Sequence, residues 1–433
     1  MLAGIYYGSM YGGSTTSILV NIPGEAASVV TCLDGHQMAK MGRAGPALGM
    51  AAFGSFIAGT LGIVGLTLFS EPLSRLGLKF GPPEYFGVIL LALTLIAYLS
   101  HGSVLKASMM GVIGLLLSCI GIDPIFGSTR LSFDIVQLQD GVNLAPLAMG
   151  LFGVSEVLLN IEETTGAQIL KTKVKSLFPT AQDWLKAKGP ILRGTVIGFF
   201  LGILPGGNPT IAAFASYAVE KRVSKEPHRF GKGAIEGVAG PEAANNSAVS
   251  SAFIPFFTLG IPPNVVMALL VGALMIHGIR VGPLILKEHP DLFWGVVSSM
   301  YVGNMMLLVL NLPLIPVWIQ ILKIPYKILF PLILLFCLIG SYSINNSAFD
   351  ILIMGLFGLV GYLFRKFGYE GAPLILGFIL GRMLELNLRQ SLILSKGSFA
   401  AFFNRPISAV SILLAVMILS WVYVFPILSR RKK

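Results

Sequence analysis

Apolar runs recur along the whole chain, at residues 48–69, 85–99, 104–122, 293–319, 328–339, 351–364 and 407–428. A helix needs about 20 predominantly apolar residues to cross a bilayer. Several runs reach that length, and the shorter ones suit tilted, partly buried or half-spanning helices. No hydrophilic block between them is long enough for a separate soluble domain. Hydrophobic residues make up 55% of the chain and charged residues 12%, with a mean hydropathy of +0.80, against about 25% charged residues in a typical soluble domain. The expected fold class is an all-α polytopic membrane protein.

Two apolar segments are broken by Gly and Pro. One runs Gly12-Gly13-Ser14-Thr15-Thr16-Ser17-Ile18-Leu19-Val20-Asn21-Ile22-Pro23-Gly24-Glu25; the other runs from Asn245-Asn246-Ser247 through Phe253-Ile254-Pro255 to Gly260-Ile261-Pro262-Pro263-Asn264. Lipid cannot satisfy the backbone N–H and C=O groups that such breaks free, so they are tolerated only against protein or a water-filled cavity. The pair is therefore a candidate binding site.

The net charge of +11 comes from Lys and Arg scattered in loops and from the tail Arg430-Arg431-Lys432-Lys433. That pattern orients a protein in a membrane and does not indicate a nucleic-acid partner. Cys32, Cys119 and Cys337 are isolated and read as packing residues, without metal-ligand pairing. The dispersed His36, His101, His228, His277 and His289 receive no role, and Met1 is not followed by a signal-peptide pattern.

The chain also repeats itself. Span, proline-bearing turn (Lys79-Phe80-Gly81-Pro82-Pro83), span, polar turn (Ser100-His101-Gly102-Ser103) and span occupy residues 49–122. The same order returns over 295–364 through Lys323-Ile324-Pro325 and Ser343-Ile344-Asn345-Asn346-Ser347. Ile261 lies 239 residues after Ile22, and Gly295 lies 246 after Gly49, so a short insertion separates two related halves. The expected organisation is a first repeat at 1–122, a connecting segment at 123–188, a second repeat at 189–390, and a C-terminal transmembrane helix with its basic tail at 391–433. The orientation of the repeats stays open.

The second half opens with an element the first lacks, Gly202-Ile203-Leu204-Pro205-Gly206-Gly207-Asn208-Pro209-Thr210, so the first repeat is expected to be N-terminally incomplete. Lys171, Lys173, Lys175, Lys186 and Lys188 precede this element, and Lys221, Arg222, Lys225, Arg229 and Lys232 follow it. If both loops are cytoplasmic, the segment enters and leaves on one side. A re-entrant hairpin with arms 191–203 and 211–219 and its tip at Pro205-Gly206-Gly207 satisfies this; a single kinked helix is the alternative.

At a broken helix, free N–H groups suit a carboxylate and free carbonyls suit a cation. Ser14, Thr15, Thr16, Asn21 and Gly24 supply small polar lining at the first break, Asn245, Asn246, Ser247, Thr258 and Gly260 at the second, and Asn208 and Thr210 at the hairpin tip. Single hydroxyls also serve simply to pack helices, as the glycines of Gly355-Leu356-Phe357-Gly358-Leu359-Val360-Gly361 do. Glu25 and Glu242 flank the breaks. Each is either a buried group for ion coupling or a helix cap at the surface. Arg382 and Glu385, three apart on one helix, are expected to pair. HExxH, GxSxG and GxxxxGK[ST] are missing, which disfavours an enzyme; no catalytic or metal-ligating residue is assigned.

Gly4-Ile5-Tyr6-Tyr7-Gly8, Tyr11 to Leu19 and Asn21-Ile22-Pro23-Gly24-Glu25 resemble a signature of the large membrane subunit of tripartite tricarboxylate transporters. Gly231-Lys232-Gly233-Ala234-Ile235-Glu236-Gly237-Val238-Ala239-Gly240-Pro241-Glu242-Ala243-Ala244-Asn245-Asn246 is similar to a second. The resemblance implies a multi-pass secondary transporter of the bacterial inner membrane that imports tricarboxylates or related carboxylates on a sodium or proton gradient. It implies as partners a small membrane subunit and a periplasmic solute-binding protein, with no organic cofactor. A Leu-Pro-Gly element is expected upstream of the first signature, and Asn208-Pro209 and Pro263-Asn264 depart from the family pattern. A passive channel or a non-transporting scaffold subunit is the alternative reading.

Overall fold

The computed structural model describes residues 1–21, 23–98, 103–123, 125–162, 177–315 and 326–424. Ile22, residues 100–102, the lysines at 171, 173 and 175, the 323–325 turn and the basic tail lie outside the described residues. In chain order the helices are α1 (Leu2–Val20), α2 (Val29–Lys40), α3 (Ala44–Gly77), α4 (Pro82–Tyr98), α5 (Val104–Ser118), α6 (Leu144–Glu162), α7 (Ala181–Ile203), α8 (Pro209–Val223) and α9 (Glu236–Leu259). They continue as α10 (Val265–Ile276), α11 (Ile285–Glu288), α12 (Pro290–Leu310), α13 (Tyr326–Asn345), α14 (Ala348–Lys366), α15 (Gly371–Leu394), α16 (Ala400–Phe403) and α17 (Pro406–Leu419). Among the described residues, α3, α6, α12, α14 and α15 are long and apolar enough to cross a membrane. A two-residue antiparallel ladder pairs Gly121–Ile122 with Thr129–Arg130. The all-α polytopic expectation holds.

The helices pack as two compact units, each drawing on both halves of the chain. The first comprises Met1–Leu78, Thr165–Leu270 and Arg280–Ile324; the second comprises Lys79–Thr164, Val271–Ile279 and Pro325–Lys433.

At the centre of the first unit lies α9, buried from Gly237 to Thr258. Its sequence explains how it can be enclosed: Gly, Ala, Ser and Asn fill its first two thirds, and small residues let neighbouring backbones approach closely. On α7, Gly194, Gly198 and Gly202 face it at four-residue spacing. A Cβ at these positions would stand 2.3 Å from the Gly240 carbonyl oxygen, 2.1 Å from that of Ala244 and 2.3 Å from that of Ala248. On α3, a Cβ at Gly62 would stand 2.7 Å from the Ser250 Cβ. Toward its end α9 turns aromatic: Phe253 stacks on Phe257, and Phe257 meets Phe256 and Phe293 of α12 edge to face.

The helices α7 and α8 form a hairpin. Asn208 caps α8, its Oδ1 accepting from the Ile211 N–H at 2.9 Å, and Pro209 opens the helix. Far from the tip, Arg193 Nε donates to Glu220 Oε1 at 2.8 Å, which shows that the arms run antiparallel side by side. The first arm is longer than its apolar run suggests. It extends back to Ala181 because Thr180 and Asp183 form a capping box, and Arg43 anchors Asp183 at 2.6 Å.

Both α1 and α9 end on a residue in the left-handed region, Asn21 (φ 59) and Gly260 (φ 69). Each is followed by a break and then by a 12-residue helix, α2 or α10.

In the second unit glycines again set helix contacts. A Cβ at Gly114 of α5 would stand 2.0 Å from the Leu374 carbonyl oxygen of α15, and one at Gly358 of α14 would stand 2.5 Å from Val154 of α6. Gly361 packs on Leu151, whereas Gly355 faces open space, so two of the three glycines in that stripe serve packing. The expected Arg382–Glu385 pair is not the one Glu385 makes. Glu385 is held by Arg130 at 2.7 Å and by Arg389, one turn further along α15, at 2.9 Å. Arg389 also reaches Asp123 at 2.8 Å. Its guanidinium and the Phe126 N–H hold the Asp123 carboxyl well below the usual carboxylate range. A depressed carboxylate stabilises the fold above its unfolded pKa, so this clamp is complete at neutral pH and is lost only as the medium falls below about pH 4.

If the α7–α9 approach sustains the first unit, Gly198→Ala forces a methyl against a backbone carbonyl and costs about 1–3 kcal/mol. Its thermal midpoint in detergent should drop clearly below that of wild type, while Gly355→Ala stays within a degree or two. Equal midpoints for the two variants would show that the close approach does not limit stability.

Candidate functional site

The first break folds back on its own helix. A Cβ on Gly24 would stand 2.5 Å from Gly13 Cα, and one on Gly13 would stand 2.7 Å from Glu25 Cγ, so both positions require glycine. Thr16 and Ser17 each donate to the Gly13 carbonyl at 3.0 Å. Glu25 caps the short 3-10 turn Ala26–Ser28 through its Oε2, which accepts from the Ala27 N–H, while its Oε1 is buried without a hydrogen-bond partner among the described residues.

The second break is held by the hairpin tip and by α1. The Gly206 N–H donates to the Pro263 carbonyl at 2.9 Å. Asn264 caps α10 by accepting from the Met267 N–H at 3.1 Å, and its Nδ2 donates to the Tyr6 hydroxyl at 2.9 Å. Asn208 thus caps α8, and Pro263-Asn264 contact the hairpin tip and cap α10.

Between the breaks sits a polar cluster built on Glu242. It is fully buried on α9, which removes the alternative of a surface cap. Thr31 of α2 donates to its Oε1, and the Ser14 hydroxyl of α1 also faces the carboxylate. Ser55 of α3 reaches Oε2 at 3.5 Å and Asn245 Nδ2 at 3.4 Å. Asn246 Nδ2 donates to Ser55 Oγ at 2.7 Å, to the Glu242 carbonyl at 3.0 Å and to Asn245 Oδ1. Every one of these hydrogen-bonding partners is neutral. Glu25 is close enough to feel the charge of Glu242.

A cleft of about 10 Å³, room for a single water, opens beside the cluster. Tyr11, Ser14, Thr15, Ser55 and Asn311 line it with Leu48, Ala51 and Ala52. Behind it, the Tyr11 hydroxyl donates to Asn304 Oδ1, and Asn304 Nδ2 donates to the Phe56 carbonyl at 3.0 Å and to Thr60 Oγ1 at 2.9 Å.

The residues singled out in the sequence therefore divide. Ser14, Thr15, Glu242, Asn245 and Asn246 come together at the cluster and its cleft. Thr16, Gly24, Asn208 and Gly260 shape the irregular segments, Asn21 is exposed at the end of α1, and Thr210 is half-buried in the first turn of α8. Sequence reasoning missed Tyr11, Thr31, Ser55 and Asn304. Asn304 did leave a signal, as one of two amides, with Asn311, inside an apolar run.

A helical bundle with bilayer-length apolar helices and a carboxylate buried among hydroxyls and amides defines a polytopic membrane protein with an internal polar site. The chain belongs to the tripartite tricarboxylate transporter TctA family, which it matches over residues 1–376. It is thus a membrane component of a transporter. It is 49% identical over 409 residues to an uncharacterized 52.8 kDa protein of the TAR-I ttuC' 3' region of Agrobacterium vitis, covering 94% of this chain and 82% of that protein. It is 53% identical over 212 residues to an uncharacterized protein of the TAR-II ttuC' 3' region of the same organism, covering 49% of this chain and 88% of that one. No solved structure matches it.

Tyr11→Phe removes one hydroxyl and leaves Asn304 Oδ1 buried without its donor. The expected cost is about 1–3 kcal/mol, read from denaturant or thermal midpoints in detergent. An unchanged midpoint would mean that the α1–α12 contact is not held by this bond.

Proposed function

We propose that the chain is the permease subunit of a secondary transporter that imports tricarboxylates or related carboxylates across a bacterial inner membrane, driven by a sodium or proton gradient. It works with a small membrane subunit and receives substrate from a periplasmic solute-binding protein. The observation that carries this reading is Glu242, fully buried with only hydroxyl and amide groups as hydrogen-bonding partners among the described residues. A buried carboxylate with no cationic partner is costly and is made tolerable by a proton or a bound cation. Once neutralised in that way, the cluster no longer repels an anionic substrate in the cleft lined by Ser14, Thr15 and Ser55. Asn245 and Asn246 then supply the amide groups that select it, and Glu25 is a second group through which the ion acts.

The cleft, at about 10 Å³, is too small for a carboxylate substrate. Loading therefore calls for another conformation, as alternating access supplies. The hairpin α7–α8 is read as re-entrant, its tip bracing the second break through Gly206 and Pro263. The matching left-handed ends of α1 and α9 and the equal length of α2 and α10 support descent of the two halves from one repeat.

Co-reconstitution of the chain with its two partners in proteoliposomes tests the proposal. Uptake of labelled di- and tricarboxylates should require an inward sodium or proton gradient. Glu242→Gln, Asn245→Ala and Asn246→Ala should each lower it at least tenfold while leaving assembly intact. Flux that ignores both gradients would instead support a passive channel, and unchanged uptake in the Asn variants would remove those residues from the site.

A further inference from the structure

A second fully buried carboxylate, Asp34 on α2, lies outside the Glu242 cluster and is satisfied in a different way. Its Oδ1 accepts from the Gly233 N–H at 2.7 Å and the Ala234 N–H at 2.8 Å, and its Oδ2 from the Gly231 N–H at 3.0 Å and the Tyr217 hydroxyl of α8 at 2.9 Å. Three backbone donors converge because the turn before α9 is wound tightly, with Gly231 at φ 80 and Gly233 at φ 98, a region that side chains disfavour. Such a concave run of N–H groups is an anion nest, here filled by a side chain of the same protein. Gly237, in the first turn of α9, completes it: a Cβ there would stand 2.3 Å from Asp34 Oδ2. Three of the four glycines of the second signature motif, Gly231, Gly233 and Gly237, thus converge on one carboxylate about 200 residues upstream in the chain.

Asp34 and Thr31 are three residues apart on α2 and so share a face of that helix. Asp34 grips the turn that leads into α9, and Thr31 bonds Glu242 two turns further along α9. We infer that Asp34 is a positioning residue: by clamping the Gly231–Ala234 turn to α2, it fixes the register in which Thr31 meets Glu242. A helix docked at one point can rock about it; docked at two points on one face, it cannot. The inference rests on the transport reading only for its effect on uptake, since the clamp itself is a matter of geometry.

Two measurements on the full chain test it, neither needing uptake. Asp34→Asn keeps the shape but turns an amide N–H₂ toward donors that need an acceptor, and Tyr217→Phe is the milder variant, removing one donor of the four. Amide hydrogen exchange across residues 231–234 should speed up at least tenfold in Asp34→Asn and less in Tyr217→Phe. In a double-mutant cycle, the fall in thermal midpoint caused by Thr31→Val should be at least halved in the Asp34→Asn background, because Thr31 is then no longer held against Glu242. Should Asp34→Asn fail to fold, the same cycle is run with Tyr217→Phe, where a smaller loss of the Thr31→Val effect is expected. Additive midpoints, or unaltered exchange at 231–234, would overturn the inference. In uptake assays the Asp34→Asn protein should need several-fold more coupling cation for half-maximal rate. Cation-independent uptake by wild type would sink the transport reading while leaving the clamp to be judged by exchange and the cycle.

Discussion

The enclosure of α9 governs the first unit. A helix buried along its whole length must find a partner inside the protein for each of its polar groups, because an unsatisfied buried group costs more than a made hydrogen bond contributes. This helix carries a carboxylate and two asparagines at its core, so the helices around it have to bring donors and acceptors to the same few ångströms. The α1, α2 and α3 helices do so with Ser14, Thr31 and Ser55. They can come that close only where side chains are absent or small, which is what the glycines of α3 and α7 and the alanines of α9 provide. Packing and polar satisfaction are thus one constraint here: enlarging a glycine moves a backbone that also carries a hydrogen-bonding group.

Much of this was legible beforehand in kind, and little of it in its pairings. Composition and run length give an all-helical membrane chain, and the Gly-Pro breaks stand out because apolar runs rarely tolerate them. Glu242 beside Asn245-Asn246 was conspicuous, but a carboxylate next to a helix start reads equally as a surface cap. Only the packing of α7 and α3 over it distinguishes the two. Arg382 and Glu385 show the limit of local rules. Spacing along one helix favours them by a few tenths of a kcal/mol, and a tertiary partner such as Arg130, whose Nη1 and Nη2 both engage the Glu385 carboxylate, outweighs that preference. Asp34 was invisible for the same reason, its partners lying far along the chain, although the glycines spaced at 231, 233 and 237 were visible as a motif whose cause they did not reveal.

The three irregular segments lean on one another and on the cluster. The hairpin tip bonds the second break through Gly206 and Pro263, and the second break bonds α1 through Asn264 and Tyr6. The first break returns to α1 through Gly24 and Gly13. Backbone groups freed from helices are in this way met by protein, as a lipid environment demands. The arrangement also makes the breaks interdependent, since α1 touches all of them directly or through one intermediate.

That dependence has a direction. Ser14 stands on α1 before the first break, Thr31 stands on α2 after it, and both address the carboxylate of Glu242. A change in the angle between α1 and α2 cannot leave both contacts intact, so the state of the break and the state of Glu242 are linked. Linkage of this kind is reciprocal: under the proposed function, whatever neutralises Glu242 would bias the break, and a ligand in the break would bias the affinity of Glu242 for a proton or cation. In the proposed cycle this is how an ion gradient does work on a carboxylate, without the two ligands needing to touch. The proposed Asp34 clamp fits that role: it ties α2 to the turn before α9, so that in the proposed cycle the change of angle falls at the glycine-rich break between α2 and α1.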